Sequence, residues 1–167
     1  MANPMYGQNK ADSDLAVYGR GKVEVILNGG TTRVLTAEES GAYCIFDAAG
    51  ASNFTLPDPE IGMKFTFIQT IINTADHVIQ SSTNDHGFLG GVLMMNTTAD
   101  QTDTFSTATD GNNDFITLNA TTTGGAAAGS TIEVVAILNS SAAKCWAVTG
   151  NLIISGAGAT PFGDAQL

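Results

Sequence analysis

Short runs of alternating apolar and polar residues, separated by turn-forming residues, recur along this chain. The run KVEVIL at 22–27 alternates in this way, apart from one extra apolar residue. The NGG that follows at 28–30 supplies residues that tolerate a positive φ, as a tight turn requires. The pattern therefore predicts a β-hairpin with its turn at 28–30 and its return strand at 32–36.

The same period of two residues predicts the remaining strands. Pro57 and Pro59 end one of them, because proline has no N–H to donate to a β-ladder. Thr36 and Glu39 form a capping box, which predicts a turn or a single helical turn. The other predicted strands are AYCIFD (42–47), NFTL (53–56), MKFTFIQ (63–69), DHVIQS (76–81), GFLGGVLMMN (87–96), DFITLNA (114–120), TIEVVAILN (131–139), AKCWAVTG (143–150) and NLIIS (151–155).

The number and spacing of these strands determine the predicted fold class. About ten short strands lie roughly ten residues apart, and no amphipathic helix of useful length interrupts them. We predict an all-β fold, an antiparallel β-sandwich or a jelly-roll or barrel-like domain. This domain covers residues 21–154, with an extended N-terminal arm at 1–20 and a C-terminal tail at 155–167.

The run at 131–139 is the most hydrophobic of the predicted strands. Both of its faces are mostly apolar, so it lies at the centre of a sheet or turns one face towards another subunit. Trp146, in the run that follows it, is the only tryptophan and a predicted core residue.

The charge of the chain excludes two classes of partner. The chain has six basic and sixteen acidic residues, which gives a net charge of −10. No Lys or Arg occurs between Lys64 and Lys144. Such a chain cannot neutralise a phosphate backbone or an anionic membrane surface, so neither nucleic acid nor membrane is an expected partner. The N-terminus lacks the pattern of a signal peptide, and no apolar run has the length of a membrane span. We expect the protein to be made in the cytoplasm and to stay there or to leave as part of a particle.

No set of residues in the sequence predicts catalysis, a cofactor or a metal site. The segment GGAAAGST at 124–131 imitates a phosphate-binding loop but lacks its lysine and its following helix. His77 and His86 have no converging ligands, and we expect both in solvated loop positions. Asp100, Asp103, Asp110 and Asp114 match no EF-hand spacing. We therefore expect that the protein is not an enzyme.

Cys44 and Cys145 both lie in predicted strands. In a reducing compartment we expect two buried thiols that act as small apolar residues. A disulfide between them remains an alternative if their strands are neighbours.

One stretch of the sequence resembles a known class of protein. The run VLTAEESGAYCIFDAAGASNFTLPDPEIGMKFTFIQ at 34–69, together with CWAVTG at 145–150 and the opening MANPMYGQNKADS, is similar to virion structural proteins of tailed bacteriophages, especially those of marine and cyanobacterial hosts. The resemblance covers about residues 1–70 and 130–150 and leaves 80–130 unmatched.

The resemblance implies a capsid decoration (cement) protein that binds the outer capsid surface as an oligomer and stabilises the shell. Its partners would be the major capsid protein and further copies of itself, with which it would form a homotrimer. It would be located in the virion. The alternative is a β module of a tail or fibre that binds a receptor or glycan. On this interpretation Pro4, Met5, Tyr6 and Phe162, in the arm and the tail, are the expected partner contacts.

Overall fold

Alternating apolar residues form twelve β-strands in the part of the chain that the structure, a computed structural model, describes: residues 23–108, 112–141 and 143–164. One short 3-10 helix at Ala37–Glu39 follows the predicted capping box. The strands are β1 Val25–Leu27, β2 Thr32–Val34, β3 Tyr43–Phe46, β4 Ser52–Thr55, β5 Lys64–Gln69, β6 His77–Gln80, β7 Phe88–Asn96, β8 Thr102–Ser106, β9 Phe115–Leu118, β10 Thr131–Leu138, β11 Lys144–Ile154 and β12 Phe162–Gly163.

The strands form two sheets whose apolar inner faces share one hydrophobic core. The order in the seven-stranded sheet is β1-β3-β5-β10-β11-β7-β8, and in the five-stranded sheet it is β12-β9-β6-β4-β2. Both sheets are mixed, with parallel pairs such as β3–β5 and antiparallel pairs such as β10–β11. The predicted all-β, sandwich-like fold class is confirmed, but the prediction that the sheets are antiparallel is wrong, because strands that alternate between the two sheets return to each sheet in the same direction.

The predicted hairpin at 22–36 is wrong. β1 pairs in parallel with β3, and β2 pairs in parallel with β4, so the two strands belong to different sheets. The NGG turn is a corner between sheets, where the buried Asn28 donates from Nδ2 to the carbonyl of Asn53 at 2.9 Å. The turn residues and the period of two were identified correctly, but neither specifies which strand lies beside which.

The first six strands alternate between the sheets and form three stacked coils, β1–β2, β3–β4 and β5–β6. Hydrogen bonds join successive corners. The N–H of Thr70 donates to the carbonyl of Phe46 at 3.1 Å, and the N–H of Thr74 donates to the carbonyl of Ala49 at 2.7 Å. The backbone polar groups of each corner are thus paired with the next coil, as in other stacked repeats.

Aromatic side chains fill the space between the sheets. Phe46 packs edge-on against Phe54, with ring centroids 5.0 Å apart, and Phe65 lies 6.0 Å from the buried Trp146. The prediction of Trp146 as a core residue is confirmed. Each aromatic ring removes a large apolar area from water, so these contacts dominate the stability of the core.

The predicted C-terminal tail is folded over the range that the structure describes, 155–164. Phe162, in β12, is 6 % exposed and pairs with Ile116 of β9 at the edge of the five-stranded sheet. The N–H groups of Ser155 and Gly156 both donate to the carbonyl of Thr121 at 3.0 Å. The apolar ring of Phe162 and the free edge of β9 explain why this segment folds. The predicted arm at 1–20 lies outside the described residues.

Candidate interaction surface

The two histidines occupy different environments. His77 begins β6 and is fully buried; its Nε2 lies 3.0 Å from the carbonyl oxygen of Gly50. The expectation of a solvated loop is therefore wrong for this residue, because its ring fills core space next to Phe46. Burial lowers the pKa of His77, although the hydrogen bond to Gly50 opposes the shift. His86 is partly exposed, and its Nδ1 lies 3.8 Å from Oδ1 of Asp58.

The glycine-rich segment at 124–131 is bonded within the chain. Oγ of the buried Ser130 accepts hydrogen bonds from the N–H of Ile153 at 3.0 Å and from that of Gly125 at 3.4 Å. The carbonyl of Gly125 in turn accepts from the side chain of Gln69 at 3.3 Å. Within the segment, the N–H groups of Gly125, Ala126 and Gly129 are engaged by the fold and are not free to bind a phosphate.

The remaining candidate ligands do not converge in the described residues. Cys44 and Cys145 are both buried free thiols, so the expected pair of buried thiols is confirmed. Asp100 is exposed, whereas Asp114 is buried, and Asp110 lies outside the described ranges. Within residues 23–108, 112–141 and 143–164 no three His, Cys, Asp or Glu side chains form a group that could hold a metal ion.

The outer face of the seven-stranded sheet is the most distinctive surface of the fold, and we call it the wide face. On β10, Ile132, Val134 and Ala136 point into the core, whereas Glu133, Val135 and Ile137 point outwards and are partly exposed. In the neighbouring strands, the register places the residues paired with Glu133, Val135 and Ile137 on the same outer side of the sheet. The apolar residues of the wide face are Val25, Leu27, Tyr43, Ile45, Ile68, Leu89, Leu93, Met95, Val135, Ile137, Ala147 and Ile153.

A depression of about 620 Å³ lies at the centre of the wide face. It is present because Gly91, which points outwards beside Thr149, has no side chain there. Its apolar walls are Tyr43, Ile68 and Leu93, and the rest of its lining is polar: Thr66, Thr131, Glu133, Thr149 and Asn151. Gly91 cannot be enlarged cheaply, because an added Cβ would lie 2.7 Å from the backbone oxygen of Phe105 in β8. The close backbone packing thus keeps the depression open to a side chain from outside.

Charge is nearly absent from the wide face. Lys64 and Glu133 are the charged residues that point outwards from its strands, and they pair with each other at 2.5 Å between Nζ and Oε2. The face therefore carries no net charge, on a chain with a net charge of −10. Water solvates the apolar side chains of this face poorly, so covering them is favourable.

The outer face of the five-stranded sheet, which we call the narrow face, differs in chemistry. Its Asn53 donates to Oε1 of Gln80 at 3.0 Å, and Gln80 donates to Oγ1 of Thr55 at 3.1 Å. Thr32 and Thr117 extend this polar surface. Several of these polar groups bond to one another, although Oδ1 of Asn53 is buried without a hydrogen-bond partner, so the narrow face is the more polar of the two.

The partner contacts predicted from the sequence do not coincide with the wide face. Pro4, Met5 and Tyr6 lie outside the described residues, and Phe162 is buried in the chain's own core. The sequence did indicate the face at 131–139, where both sides of the strand are apolar. What it could not indicate is that five other strands extend this apolar side into one surface.

None of the described helical segments is long and apolar enough to cross a membrane. No family model, curated protein or solved structure matches this chain.

Proposed function

We propose that this chain is a structural protein of a virion, a decoration protein that binds the outer surface of a capsid as an oligomer and stabilises the shell. The observation that carries the proposal is the wide face, a surface of the all-β domain that has no net charge and carries a broad set of partly exposed apolar side chains. Contiguous apolar patches of more than a few hundred Å² are rare on monomeric proteins and mark contact surfaces. The resemblance of 34–69 and 145–150 to phage virion proteins supplies the kind of assembly.

The charge of the chain supports an outer location. With sixteen acids and six basic residues, the protein would be repelled by packaged nucleic acid. The same charge is favourable on the outside of a particle, where it keeps particles apart in solution. The partners in this proposal are the major capsid protein and further copies of the chain, as a homotrimer, without nucleic acid or membrane.

The mechanism is preferential binding. A protein that binds the expanded shell and not its precursor stabilises the expanded state by RT ln(1 + [L]/Kd) for each site. An oligomer that contacts several capsid subunits raises its effective affinity by about two to four orders of magnitude over a single contact. No step of this mechanism requires a catalytic residue or a cofactor.

Co-sedimentation with capsid shells tests the proposal. We expect the purified protein to pellet with expanded shells in a saturable manner and to raise their disassembly temperature. Precursor shells from the same virus serve as the control, and we expect little binding to them. Equal binding to both shells, or to neither, would contradict the proposed function.

Deletion of residues 2–18 tests the contribution of the predicted arm. We expect weaker shell binding, because Pro4, Met5 and Tyr6 are predicted contacts. The purified variant must keep the far-UV circular dichroism of the full chain. Unchanged affinity of a folded variant would show that the arm is not a contact.

A further inference from the structure

We infer that the wide face is the surface through which copies of this chain associate with one another. This inference deepens the proposed function and rests on it for its biological purpose. The occupant of the wide face is a second copy of the chain, which leaves other surfaces free for the capsid.

The size of the wide face fits an interface between proteins. With strands about 4.8 Å apart and a rise of about 3.3 Å per residue, seven strands of these lengths cover roughly 700 Å². A standard stable interface buries about 800 Å² on each partner. One copy packed on the wide face of another would therefore bury an area that a specific complex needs, without a contribution from other surfaces.

The charge distribution favours a second copy at this face. Two chains with a net charge of −10 repel each other, and the repulsion is smallest where the contacting surfaces are neutral. The wide face meets this requirement, because its Glu133 is already paired with Lys64. Most of the acids lie elsewhere, and two copies joined here would keep them apart and in water.

The exposed edge of the seven-stranded sheet extends the same surface. Val25 and Leu27 of β1 are 59 % and 61 % exposed, and Tyr43 beside them on β3 is 39 % exposed. These side chains continue the wide face to the edge of the sheet. A neighbouring copy seated on the wide face would cover them as well, which removes an apolar edge that is a hazard for aggregation.

The mass of the protein in solution tests the inference without any capsid. We expect light scattering after size exclusion to give a multiple of 17.2 kDa that falls as the protein is diluted. The variant Val135→Lys with Leu93→Lys places two cations in the middle of the wide face. We expect its dissociation constant to rise at least about 100-fold, since each unpaired charge has to be desolvated on association.

A matched control separates a loss of association from a general effect of added charge. Asn53→Lys with Thr117→Lys adds the same two charges to the narrow face, and we expect it to keep the mass of the unmodified protein. Circular dichroism and thermal melts verify that both variants fold. An unchanged mass for the wide-face variant would overturn the inference.

A cross-linking experiment keeps the inference testable if the lysine variant fails to fold. Thr149→Cys introduces an exposed thiol on the wide face, and Thr32→Cys introduces one on the narrow face. We expect a short bismaleimide to link Thr149→Cys between chains in preference to Thr32→Cys. Equal linking of the two variants would contradict the inference.

The possible failures are distinguishable. A protein that is monomeric at every concentration and still binds shells overturns the inference and the oligomeric part of the proposed function, but leaves capsid decoration intact; the shell itself, or residues 1–22 of the same chain, would then cover the wide face. A protein that associates through the wide face and binds no shell supports the inference and overturns the proposed function.

Discussion

The ring of His77 stacks on the ring of Phe46 inside the core, with centroids 4.7 Å apart and planes 14° from parallel. The imidazole is fully buried, and burial lowers its pKa below the ordinary value of 6.5. It therefore remains neutral in the folded protein at a pH where the unfolded chain already binds a proton. By linkage, the free energy of unfolding rises with pH wherever the unfolded state binds more protons.

Stability should therefore fall as the pH is lowered from about 7 towards 5, with a slope of at most about 1.4 kcal/mol per pH unit from this residue. Urea unfolding at several pH values measures the slope. We expect His77→Gln to flatten it in this window. Equal slopes for the unmodified protein and His77→Gln would contradict this account of His77.

Gly125 should tolerate no side chain. Its φ is +89°, and an added Cβ would lie 2.3 Å from Oδ1 of the buried Asn73. We expect Gly125→Ala to lower the free energy of unfolding by about 3 kcal/mol or more, from backbone strain and overpacking.

Gly41 is the matched control for this substitution. Its φ is +97°, but no atom lies within 4 Å of an added Cβ. Gly41→Ala should therefore cost only the strain of the positive φ, about 1–2 kcal/mol. Similar losses in the two variants, measured by denaturant unfolding, would show that the contact with Asn73 contributes nothing.

The two thiols should be unreactive in the folded protein. Burial raises the pKa of Cys44 to about 12 and also raises the pKa of Cys145. The thiolate is the reactive form, so a disulfide-exchange reagent at pH 8 should label neither residue before unfolding. In denaturant the same reagent should titrate two thiols per chain. A fast-reacting thiol in the native protein would contradict the buried positions of these residues.

Phe162 should contribute to stability rather than act as a free contact. Phe162→Ala removes a ring that is 6 % exposed and leaves a space next to β9, so we expect a loss of about 3 kcal/mol. Leu138→Ala is the control, because that side chain is 48 % exposed and its removal should cost less than about 0.5 kcal/mol. A decrease in the free energy of unfolding for Phe162→Ala as small as that for the control would indicate that Phe162 lies in a tail, as the sequence predicted.

The sequence predicted individual strands better than their neighbours. The runs at 63–69 and 131–139 become β5 and β10 almost residue for residue, and the capping box at Thr36 and Glu39 does form, with the N–H of Thr36 donating to Oε2 of Glu39 at 2.7 Å. These features depend on a few consecutive residues. The pairing of β1 with β3 depends instead on contacts distant in sequence, which the local pattern of NGG does not contain.

The candidate surface was predictable only in part. The apolar outer side of 131–139 correctly indicated a strand with two buried or partly covered faces. The depression beside it arises at Gly91 of β7, which lies beside Thr149 of β11 in a parallel pair of strands that are far apart in the sequence. Likewise, the burial of His77 depends on the stacked corner at Gly50, so the residue type alone suggested a solvated position.

Electron microscopy of purified virus particles, labelled with an antibody fragment against this protein, tests the central claim most directly. We expect label at regular positions over the outer surface of the shell, and label that disappears from particles grown without the protein. Label confined to the tail or its fibres, or no label on intact particles, would contradict the proposed role in capsid decoration.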